Sequence, residues 1–535
     1  MKQPVPIRGR SYEEMRRRFR WPRFERFNIG VACADAQPSH RTALIHQPPL
    51  GEARRYTFGD LKRLSDRFAN VLVSHGLKPG DRVGVILPQL PETAIVHLGA
   101  FKAGMISLPL STLFGPDALR FRLADSGARL VVTDGEGLEK LLEIGSQLPS
   151  LEHAIDVRAL DQLLQKAAPQ FSAVDTGVDD PCLIIFTSGT TGPPKGVLHG
   201  HRVLIGQTPG FRLAHGLMPQ PGDLCWTPAD WAWIGGLVNT LLLAWLQGVP
   251  MVSAPRRGFD PEWAARLLLA HGVRNTFLPV TALRMMLRAG VPPGLRLRSL
   301  VSGGEAMEPS LVASTQETFG IPVQECYGQT EADFVIGHCA SHWPLRPGSM
   351  GRAYPGTDIA LLGDEGSPLP EGELGEVAVR APHPTLLLEY WNRPDATSAK
   401  FRGDWMRTGD LARVDEDGYY WFEARGDDVI KSAGYRIGPS EIEDTLLRHP
   451  AVAQAAVVGA PDSVRGQVVM AFVVTAAGAS AGPQLEVELR EHVRTRLAAY
   501  QYPRIVEFVD ELPMTSSAKV NRAELRRRAA ARQGE

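Results

Sequence analysis

One short loop concentrates the side chains that can bind a polyphosphate. Residues 186–196 read Phe-Thr-Ser-Gly-Thr-Thr-Gly-Pro-Pro-Lys-Gly and follow a short apolar run that predicts a buried strand. Glycines let backbone N–H groups approach an anion closely, hydroxyls donate hydrogen bonds, and Lys195 supplies a point charge. Because Gly196 follows the lysine where a Walker loop has Ser or Thr, this is a different kind of phosphate loop.

Two later stretches end strand-like segments with side chains suited to ligands. Gly303, Gly304 and Glu305 follow one such segment, and loops at this edge of a parallel sheet often carry ligands. Residues 327–331, Tyr-Gly-Gln-Thr-Glu, combine an aromatic face, a close-approach glycine, a hydroxyl and a carboxylate. This set can stack a base, bond a phosphate and hold a hard cation through oxygen. Taken alone, a surface loop would explain it equally well.

Three other stretches gain meaning only in combination. Residues 405–410 place Asp410 just after a Thr-Gly turn, where its carboxylate can accept both hydroxyls of a ribose. Residues 227–236 set two tryptophans beside two glycines, which alone favours buried packing. Lys519 lies at a predicted loop tip near the end of the chain, and a lone lysine there is normally just solvated.

Two histidines flank Cys339, but three ligands at most and no second cluster favour a loop over a metal site.

The elements that position these residues alternate between helix and strand. Residues 58–73 and 91–103 have helical patterns, whereas 82–87 and 130–133 are strand-like, which predicts βαβ units and a largely parallel sheet. After about residue 345 short strands and turns predict a small β-rich subdomain. The last part, about a hundred residues, predicts a separate α+β domain. In it, Ser440 and Glu443 are spaced as a capping box, which predicts that a helix opens there.

Size and composition restrict the class of protein. A chain of 535 residues exceeds one hydrophobic core and predicts two or more domains. Hydrophobic content of 44% with 22% charged residues is globular, and a net charge of −1 offers no field for nucleic acid or anionic membranes. Five scattered cysteines fit a reducing compartment, which predicts a cytoplasmic protein. The arginines of residues 16–20 suggest a transit peptide, but Glu13, Glu14 and Glu25 favour a solvated amphipathic helix. No apolar run approaches the ~20 residues of a membrane span.

Six motifs in this order resemble those of the adenylate-forming superfamily. The resemblance covers about residues 30–528 and is strongest to the acetyl- and medium-chain acyl-CoA synthetases. It implies an α/β fold with a large N-terminal domain, residues 1–426, and a mobile C-terminal domain, residues 427–535, with the hinge at Asp427. It also implies ATP, Mg²⁺ and coenzyme A as reactants and cofactor, and a monomer or homo-oligomer.

The resemblance assigns roles to individual residues. The β- and γ-phosphates of ATP fall to the first loop: Thr187, Ser188, Gly189, Thr190, Thr191 and Lys195. The adenine falls to Gly303, Gly304, Glu305 and Tyr327, with Gly328 and Gln329 in the same nucleotide-binding stretch. Thr330 is implied at the α-phosphate, Glu331 on Mg²⁺, and Asp410 with Arg425 at the ribose. Lys519 is the implied adenylation lysine, and the second set of cofactor-binding positions is Lys431, Gly434 and Arg436, with Gly434 at the pantetheine arm.

Two half-reactions follow from this resemblance. An ionised carboxylate attacks the α-phosphorus of ATP, giving acyl-AMP and pyrophosphate, and the thiol of CoA then displaces AMP. Lys519 is needed first and would block the thiol afterwards, so the small domain rotates about Asp427 and brings in the Gly434 loop.

The acyl pocket is expected to exceed acetate. Acetate-specific relatives carry a tryptophan where this chain has Gly328, and Gly235 beside Trp233 and Ile234 indicates the same. A short- to medium-chain acid, branched or aromatic acids included, is therefore predicted, as in fatty acid metabolism. Residues 332–334, Ala-Asp-Phe, and Ala518 depart from the family pattern. Two alternatives stay open: transfer to a carrier protein instead of CoA, and a non-catalytic nucleotide-binding relative.

Overall fold

The computed structural model describes residues 5–187, 193–426, 428–432, 435–462, 466–497, 501–515 and 519–532. It divides the chain into two compact units. Unit 1 comprises Met1–Thr187, Pro194–Asp358 and Val379–Met406, and unit 2 comprises Ser188–Pro193, Ile359–Ala378 and Arg407–Glu535. The boundary at residue 427 stays a prediction.

Helices and strands alternate through most of the chain, as the sequence predicts. The helices are α1 (Tyr12–Arg18), α2 (Phe58–Ser74), α3 (Pro91–Lys102), α4 (Pro116–Ser126), α5 (Gly135–Ile144), α6 (Val157–Lys166), α7 (Arg202–Ala214), α8 (Ile234–Gly236), α9 (Leu243–Leu246), α10 (Pro261–His271), α11 (Val280–Ala289), α12 (Pro309–Phe319), α13 (Pro394–Lys400), α14 (Pro439–Leu447), α15 (Pro483–Arg494) and α16 (Arg522–Ala531), with π-helical turns at Val31–Asp35 and Leu237–Leu242 and a 3₁₀ turn at Gly145–Gln147.

The strands are mostly short. They are β1 (Thr42–His46), β2 (Arg54–Thr57), β3 (Arg82–Ile86), β4 (Ile106–Pro109), β5 (Leu130–Thr133), β6 (His153–Asp156), β7 (Pro181–Thr187), β8 (Lys195–Gly200), β9 (Cys225–Trp226), β10 (Met251–Ser253), β11 (Asn275–Phe277), β12 (Ser299–Gly303), β13 (Val323–Gln329), β14 (Asp333–Gly337), β15 (Arg352–Ala353), β16 (Ile359–Leu362), β17 (Gly375–Arg380), β18 (Glu389–Tyr390), β19 (Phe401–Arg402), β20 (Trp405–Val414), β21 (Tyr420–Arg425), β22 (Ile430–Ser432), β23 (Tyr435–Ile437), β24 (Val452–Asp462), β25 (Gly466–Thr475) and β26 (Ile505–Phe508).

Unit 1 is built on two large sheets. One has nine strands in the order β15-β14-β13-β12-β11-β9-β10-β1-β2, and the other has seven in the order β18-β8-β7-β4-β3-β5-β6. The interior pairs are parallel, whereas β7–β8, β8–β18 and β13–β14 are antiparallel. The predicted parallel sheets are therefore present, with antiparallel strands at the edges that carry the motifs.

Local sequence explains why the helices of unit 1 form where they do. At the start of α2, the Thr57 hydroxyl accepts from the Asp60 N–H, and the Asp60 carboxylate accepts from the Thr57 N–H. The apolar face of α2 is buried at Leu61, Phe68 and Leu72. Helix α3 is different, since residues on every side of it are buried, and it lies inside the core of unit 1.

The arginine-rich N-terminal segment forms the helix that the sequence predicts. Ser11 caps α1 by accepting a hydrogen bond from the Glu14 N–H. Tyr12 and Met15 are buried, and the Tyr12 hydroxyl donates to the Ala353 carbonyl at 2.9 Å. This helix is thus packed on unit 1.

Small sheets carry the remaining motifs. One runs β16-β17-β20-β19 with β21 beside β20, and another runs β23-β22-β25-β24 with β26 beside β25. The long β24–β25 hairpin has apolar residues on both faces, so two cores form, one around Val457 and Val469 and one around Val458 and Phe472.

The capping-box prediction for α14 is wrong. Pro439 occupies the first helical position, the cap residue is Gly438, and Ser440 lies inside the helix. Glu443 does not reach back to the helix start. Its Oε1 accepts from the Val457 N–H at 2.7 Å, and its carboxylate pairs with Arg522 of α16 at 2.6 Å. Tertiary partners therefore take the carboxylate that the local pattern assigned to a cap.

No helix within the described ranges has both the length and the apolar content that crossing a bilayer requires.

Candidate active site

The predicted phosphate loop connects two paired strands of unit 1. Thr187 ends β7, Lys195 begins β8, and the two residues are partners in the antiparallel register. The Thr187 hydroxyl donates to the Lys195 carbonyl at 3.4 Å. Ser188, Gly189, Thr190 and Thr191 lie outside the described residues. The hairpin thus fixes where the loop begins and ends.

Tyr390 links the predicted lysine to the predicted metal ligand. Its hydroxyl donates to Glu331 Oε1 at 2.6 Å, a distance typical of a charge-assisted O–H···O⁻ bond. The Lys195 ammonium lies 5.0 Å from the centroid of the Tyr390 ring, within cation–π range. Tyr390 lies on β18, which pairs with β8, so one edge strand positions both contacts. No motif in the sequence singles out Tyr390.

Buried backbone contacts hold the segment that carries Thr330 and Glu331. His199 Nε2 donates to the Thr330 carbonyl at 2.8 Å, and the Leu387 N–H donates to the Glu331 carbonyl at 2.8 Å. Burial lowers the pKa of His199 to about 4, so the imidazole is neutral near pH 7 and this donor is the N–H of one tautomer. Both predicted residues are therefore fixed by their main chain.

Close backbone approach explains the glycines near the predicted adenine site. Gly303 ends β12, and a Cβ there would lie 2.3 Å from the Cys326 carbonyl of the adjacent β13. Gly304 has a φ of +91°, which favours glycine. Tyr327 and Gln329 belong to β13 itself, so the motif extends the strand instead of following it as a loop. The Lys400 ammonium donates to Gln329 Oε1 at 3.0 Å.

The residues predicted to line the acyl pocket border a pair of phenylalanines. A Cβ on Gly235 would lie 3.4 Å from the Phe277 ring, whose centroid is 6.0 Å from that of Phe334. A Cβ on Gly328 would lie 1.7 Å from the Asp333 carbonyl and 2.9 Å from the Phe334 Cα. Gly328 is therefore required by the β13–β14 pairing, which shifts register between residues 327 and 328.

A buried aspartate shapes the aromatic turn that carries Trp233 and Ile234. Asp230 Oδ2 accepts from the Ser111 hydroxyl at 2.9 Å, and Oδ1 accepts from the Ala232 N–H at 3.0 Å. Burial raises the pKa of this carboxyl, and the two hydrogen bonds oppose the rise. Trp233 meets Phe114 edge-to-face, with ring centroids 6.0 Å apart. The turn is thus held by polar as well as aromatic contacts.

Asp333 and Asn239 add polar groups to the same part of unit 1. Asp333 is a non-glycine residue with a φ of +58°, and its Oδ1 accepts from the Phe334 N–H at 3.0 Å. Burial raises the pKa of Asp333 to about 7, while the Asn239 amide and the Phe334 N–H oppose the rise. Residue 333 departs from the family pattern in the sequence, but no motif predicts its contacts with Asn239 and the Phe334 N–H.

Unit 2 brings together the two residues predicted for the ribose. Asp410 and Arg425 are cross-strand partners on β20 and β21, with Arg425 Nη1 3.5 Å from Asp410 Oδ1. The predicted turn before Asp410 is not present, since β20 is continuous from Trp405 to Val414. Gly409 within it has a φ of +83°, which accommodates the local twist without a turn.

Lys519 is hydrogen-bonded to Thr515 in unit 2. The Thr515 N–H donates to the Lys519 carbonyl at 2.6 Å, and the Lys519 N–H donates to the Thr515 hydroxyl at 3.1 Å. Asp427 and Gly434 lie outside the described residues. The backbones of Lys431 and Arg436 pair across β22 and β23.

Charge pairs connect Asp428, directly after residue 427, with helix α16. Asp428 pairs with Arg526 and lies 4.0 Å from Arg522, both on α16. Arg522 also contacts Glu443 of α14. The helix that follows Lys519 is thereby tied to the segment that begins the C-terminal part of the chain.

Two family models match most of this chain. The model described as AMP-binding enzyme matches residues 32–391, and that described as AMP-binding enzyme C-terminal domain matches residues 441–519. The chain belongs to the AMP-binding enzyme family. Among curated relatives of this family member, mitochondrial acyl-coenzyme A synthetase ACSM4 of Mus musculus is 35% identical over 493 residues, covering 89% of this chain and 84% of that protein.

Solved structures agree with the fold of this AMP-binding enzyme. The anthranilate CoA ligase AuaEII in complex with anthranoyl-AMP superimposes with a TM-score of 0.88 at 28% identity, covering 96% of this chain and 99% of that one. An acyl-CoA synthetase of Brucella canis gives a TM-score of 0.72 at 34% identity, covering 95% of each chain. The predicted fold class, the acid–thiol ligase class and the use of ATP, Mg²⁺ and CoA are therefore confirmed.

Proposed function

We propose that this acyl-CoA synthetase activates its acid at a centre formed by Lys195, Tyr390 and Glu331. The observation that carries the proposal is that one tyrosine contacts both the cation and the carboxylate. A carboxylate that attacks ATP must approach a strongly anionic chain of phosphates. Lys195 offsets part of that charge, and Tyr390 fixes its position relative to Glu331.

The residues present fit a magnesium ion. Glu331 is nearly buried, with one oxygen held by Tyr390. The described residues contain no group of three His, Cys, Asp or Glu side chains that could hold a metal. A single carboxylate such as Glu331 suits Mg²⁺, because this ion binds through one or two carboxylates with phosphates and water as its other ligands. Bound there by Glu331, the ion would neutralise phosphate charge.

The nucleotide is proposed to extend from this centre along the glycine-rich strand ends. Thr330 would donate to the α-phosphate, and Gly303, Gly304, Glu305 and Tyr327 would flank the adenine. Support comes from the pairing of β12 with β13, which brings Gly303 beside Cys326, the residue directly before Tyr327. The ribose hydroxyls would be held by Asp410, whose carboxylate is paired with Arg425.

The second half-reaction is proposed to use another set of residues. In the first step the acid attacks the α-phosphorus and pyrophosphate leaves, with Lys519 near the phosphate. In the second, the thiol of CoA attacks the acyl carbonyl, the C–O bond to AMP breaks, and AMP leaves. We assign Gly434, Lys431 and Arg436 to the CoA side and Asp427 to the hinge. The pairing of Lys519 with Thr515 supports a defined position for this lysine.

The acid is proposed to be larger than acetate and short to medium in length. Gly235 supports this, because it leaves the edge of the Phe277 ring uncovered by any side chain at that position. We further propose a cytoplasmic location and a monomer or homo-oligomer. The support is that the five cysteines are buried free thiols, as in a reducing compartment: Cys33, Cys182, Cys225, Cys326 and Cys339.

A panel of carboxylic acids tests the proposal. Straight-chain acids from acetate to dodecanoate and benzoate are incubated with ATP and Mg²⁺, and AMP formation is measured with CoA or with a carrier protein. We expect AMP formation to require both an acid and CoA, with acetate among the poorest substrates. Transfer to the carrier alone, or no acid-dependent pyrophosphate release, would contradict it.

A further inference from the structure

Three buried amide or carboxyl side chains in unit 1 have polar atoms that the fold does not satisfy. Gln207 of α7 is 0% exposed, Asn239 of the π-helical turn 2%, and Asp333 of β14 1%. Within the described part of the chain, both amide atoms of Gln207 and the amide oxygen of Asn239 have no hydrogen-bond partner, whereas the Asn239 N–H lies close enough to the Asp333 carboxyl to lower its pKa. An unsatisfied buried polar atom destabilises a fold, so this concentration needs an explanation.

The three side chains belong to elements that meet in one place. Asn239 lies beside the Asp333 carboxyl and opposes the rise of its pKa. On α7, Gly210 and Phe211 share the face of Gln207, being three and four residues further on. A Cβ on Gly210 would lie 3.3 Å from the Phe334 carbonyl of β14, and Phe211 belongs to the core cluster that contains the π-helical turn. Gln207 therefore faces the junction of β14 with that turn.

The backbone at this junction is unusual on both sides. Leu237–Leu242 is a π-helical turn, a conformation found frequently at functional sites. Asp333 has a left-handed backbone conformation that non-glycine residues seldom adopt. Two local departures beside unsatisfied polar atoms point to a ligand-recognition site instead of ordinary core packing.

The junction adjoins the residues assigned to the acyl group. Phe334 follows Asp333 and contacts Phe277, which borders Gly235. Asn239 is one helical turn beyond Gly235, whose carbonyl accepts from the Thr240 hydroxyl at 2.9 Å. Under the proposed function the carboxylate of the acid reacts beside Thr330, and an acid that passes Gly235 and Phe334 would reach the polar junction with its opposite end.

We propose that Gln207, Asn239 and Asp333 recognise a hydroxyl group on the acid, at the end remote from its carboxylate. The proposal rests on the acyl-CoA synthetase function given above and specifies its substrate class. An alkyl end would leave both amide atoms of Gln207 and the amide oxygen of Asn239 unpaired. A hydroxyl donates one hydrogen bond and accepts others, which matches a carboxyl acceptor beside two amides.

Matched pairs of acids test this directly. The pairs are 6-hydroxyhexanoate with heptanoate, and 4-hydroxybenzoate with 4-methylbenzoate, which replace a hydroxyl by a methyl group at nearly constant volume. The measured quantity is the ratio of kcat/KM for acid-dependent pyrophosphate release. We expect the hydroxy acid of at least one pair to be favoured by about tenfold or more, because a site built to bond a hydroxyl rejects its apolar analogue.

Two variants and a control connect the preference to these residues. Asn239→Leu and Gln207→Leu, each of similar volume, should reduce the ratio about tenfold or more by improving the methyl acid relative to the hydroxy acid. Thr276→Val removes another unpartnered buried polar atom, on the face of β11 opposite Phe277, and should leave the ratio unchanged. If one leucine variant does not fold, the wild-type ratio and the other variant decide.

The outcomes separate the two levels of the argument. Turnover of the methyl acids equal to or better than that of their hydroxy partners would overturn the hydroxyl assignment while leaving the synthetase function intact. The same holds for a ratio that the leucine variants do not change. Absence of turnover with every acid would overturn both.

Discussion

Removing the hydroxyl of Tyr390 should impair acid activation selectively. In Tyr390→Phe the ring beside Lys195 stays, but the 2.6 Å hydrogen bond to Glu331 is lost. Hydrogen bonds to charged groups contribute about 1.5–3 kcal/mol, and about 1.4 kcal/mol corresponds to a factor of ten in rate. If the bond is made fully in the transition state, kcat/KM for pyrophosphate release should fall by roughly 10- to 150-fold. Tyr390→Leu also loses the cation–π contact, which adds about 0.5–2 kcal/mol.

The assay separates the two half-reactions. Pyrophosphate release from ATP and acid reports the first, and CoA thioester formation from supplied acyl-AMP reports the second. Tyr390→Phe should affect the first and leave the second within about twofold, since the roles proposed for Glu331 and Lys195 concern the substrate that still carries pyrophosphate. Tyr12→Phe, which removes a buried hydroxyl bonded to the Ala353 carbonyl, is the control and should change neither. Equal losses in both half-reactions, or an unaffected first step, would refute the reasoning.

Three further outcomes are expected. Lys519→Ala should abolish adenylate formation but preserve thioester formation from acyl-AMP, and equal loss of both would contradict its assignment. Gly328→Ala should lower the melting temperature and the activity, because its Cβ would collide with the Asp333 carbonyl and overpacking costs about 1–3 kcal/mol. The control is Gly145→Ala, which has open space around the added Cβ and should leave the melting temperature unchanged in differential scanning fluorimetry. Burial lowers the pKa of His97 to about 3 from 6.5, so the unfolded chain binds a proton that the folded chain does not. The contribution of this group to the free energy of unfolding is therefore complete above about pH 6.5 and declines towards pH 3, with a loss of about 2 kcal/mol at pH 5. In His97→Gln the melting temperature should depend less on pH in that window. An unchanged slope of melting temperature against pH would count against this assignment.

Periodicity and punctuation predict most elements of the fold. The predicted helix over 58–73 is observed at Phe58–Ser74, and the strand at Leu130–Thr133 matches its predicted bounds. These segments succeed because apolar spacing and capping act locally. The capping box at Ser440 is wrong because a proline one residue earlier sets the helix start, and because Arg522, distant in sequence, binds Glu443.

The site was predictable as a set of motifs but not as a set of contacts. Lys195 begins β8, Glu331 lies between β13 and β14, and Asp410 and Arg425 pair across β20 and β21, while the roles of these residues stay predictions. Tyr390 carries no local signal, since it belongs to a two-residue strand that reaches β8 across almost two hundred residues of chain. Its role depends on long-range pairing, which no pattern within a short window encodes.

The short segment that joins β13 to β14 lies beside both the proposed metal ligand and the proposed acyl site. Thr330 and Glu331 lie between these strands, and Asp333 and Phe334 begin the second of them, so a change that reshapes the proposed acyl site would also move the proposed metal ligand. Diversification of this enzyme towards new acids is thus constrained on that side. Helix α7 and the turn after Gly235 carry neither Thr330 nor Glu331. In these two parts of the proposed acyl site, natural variation or engineering can therefore alter selectivity while the chemistry of activation is preserved.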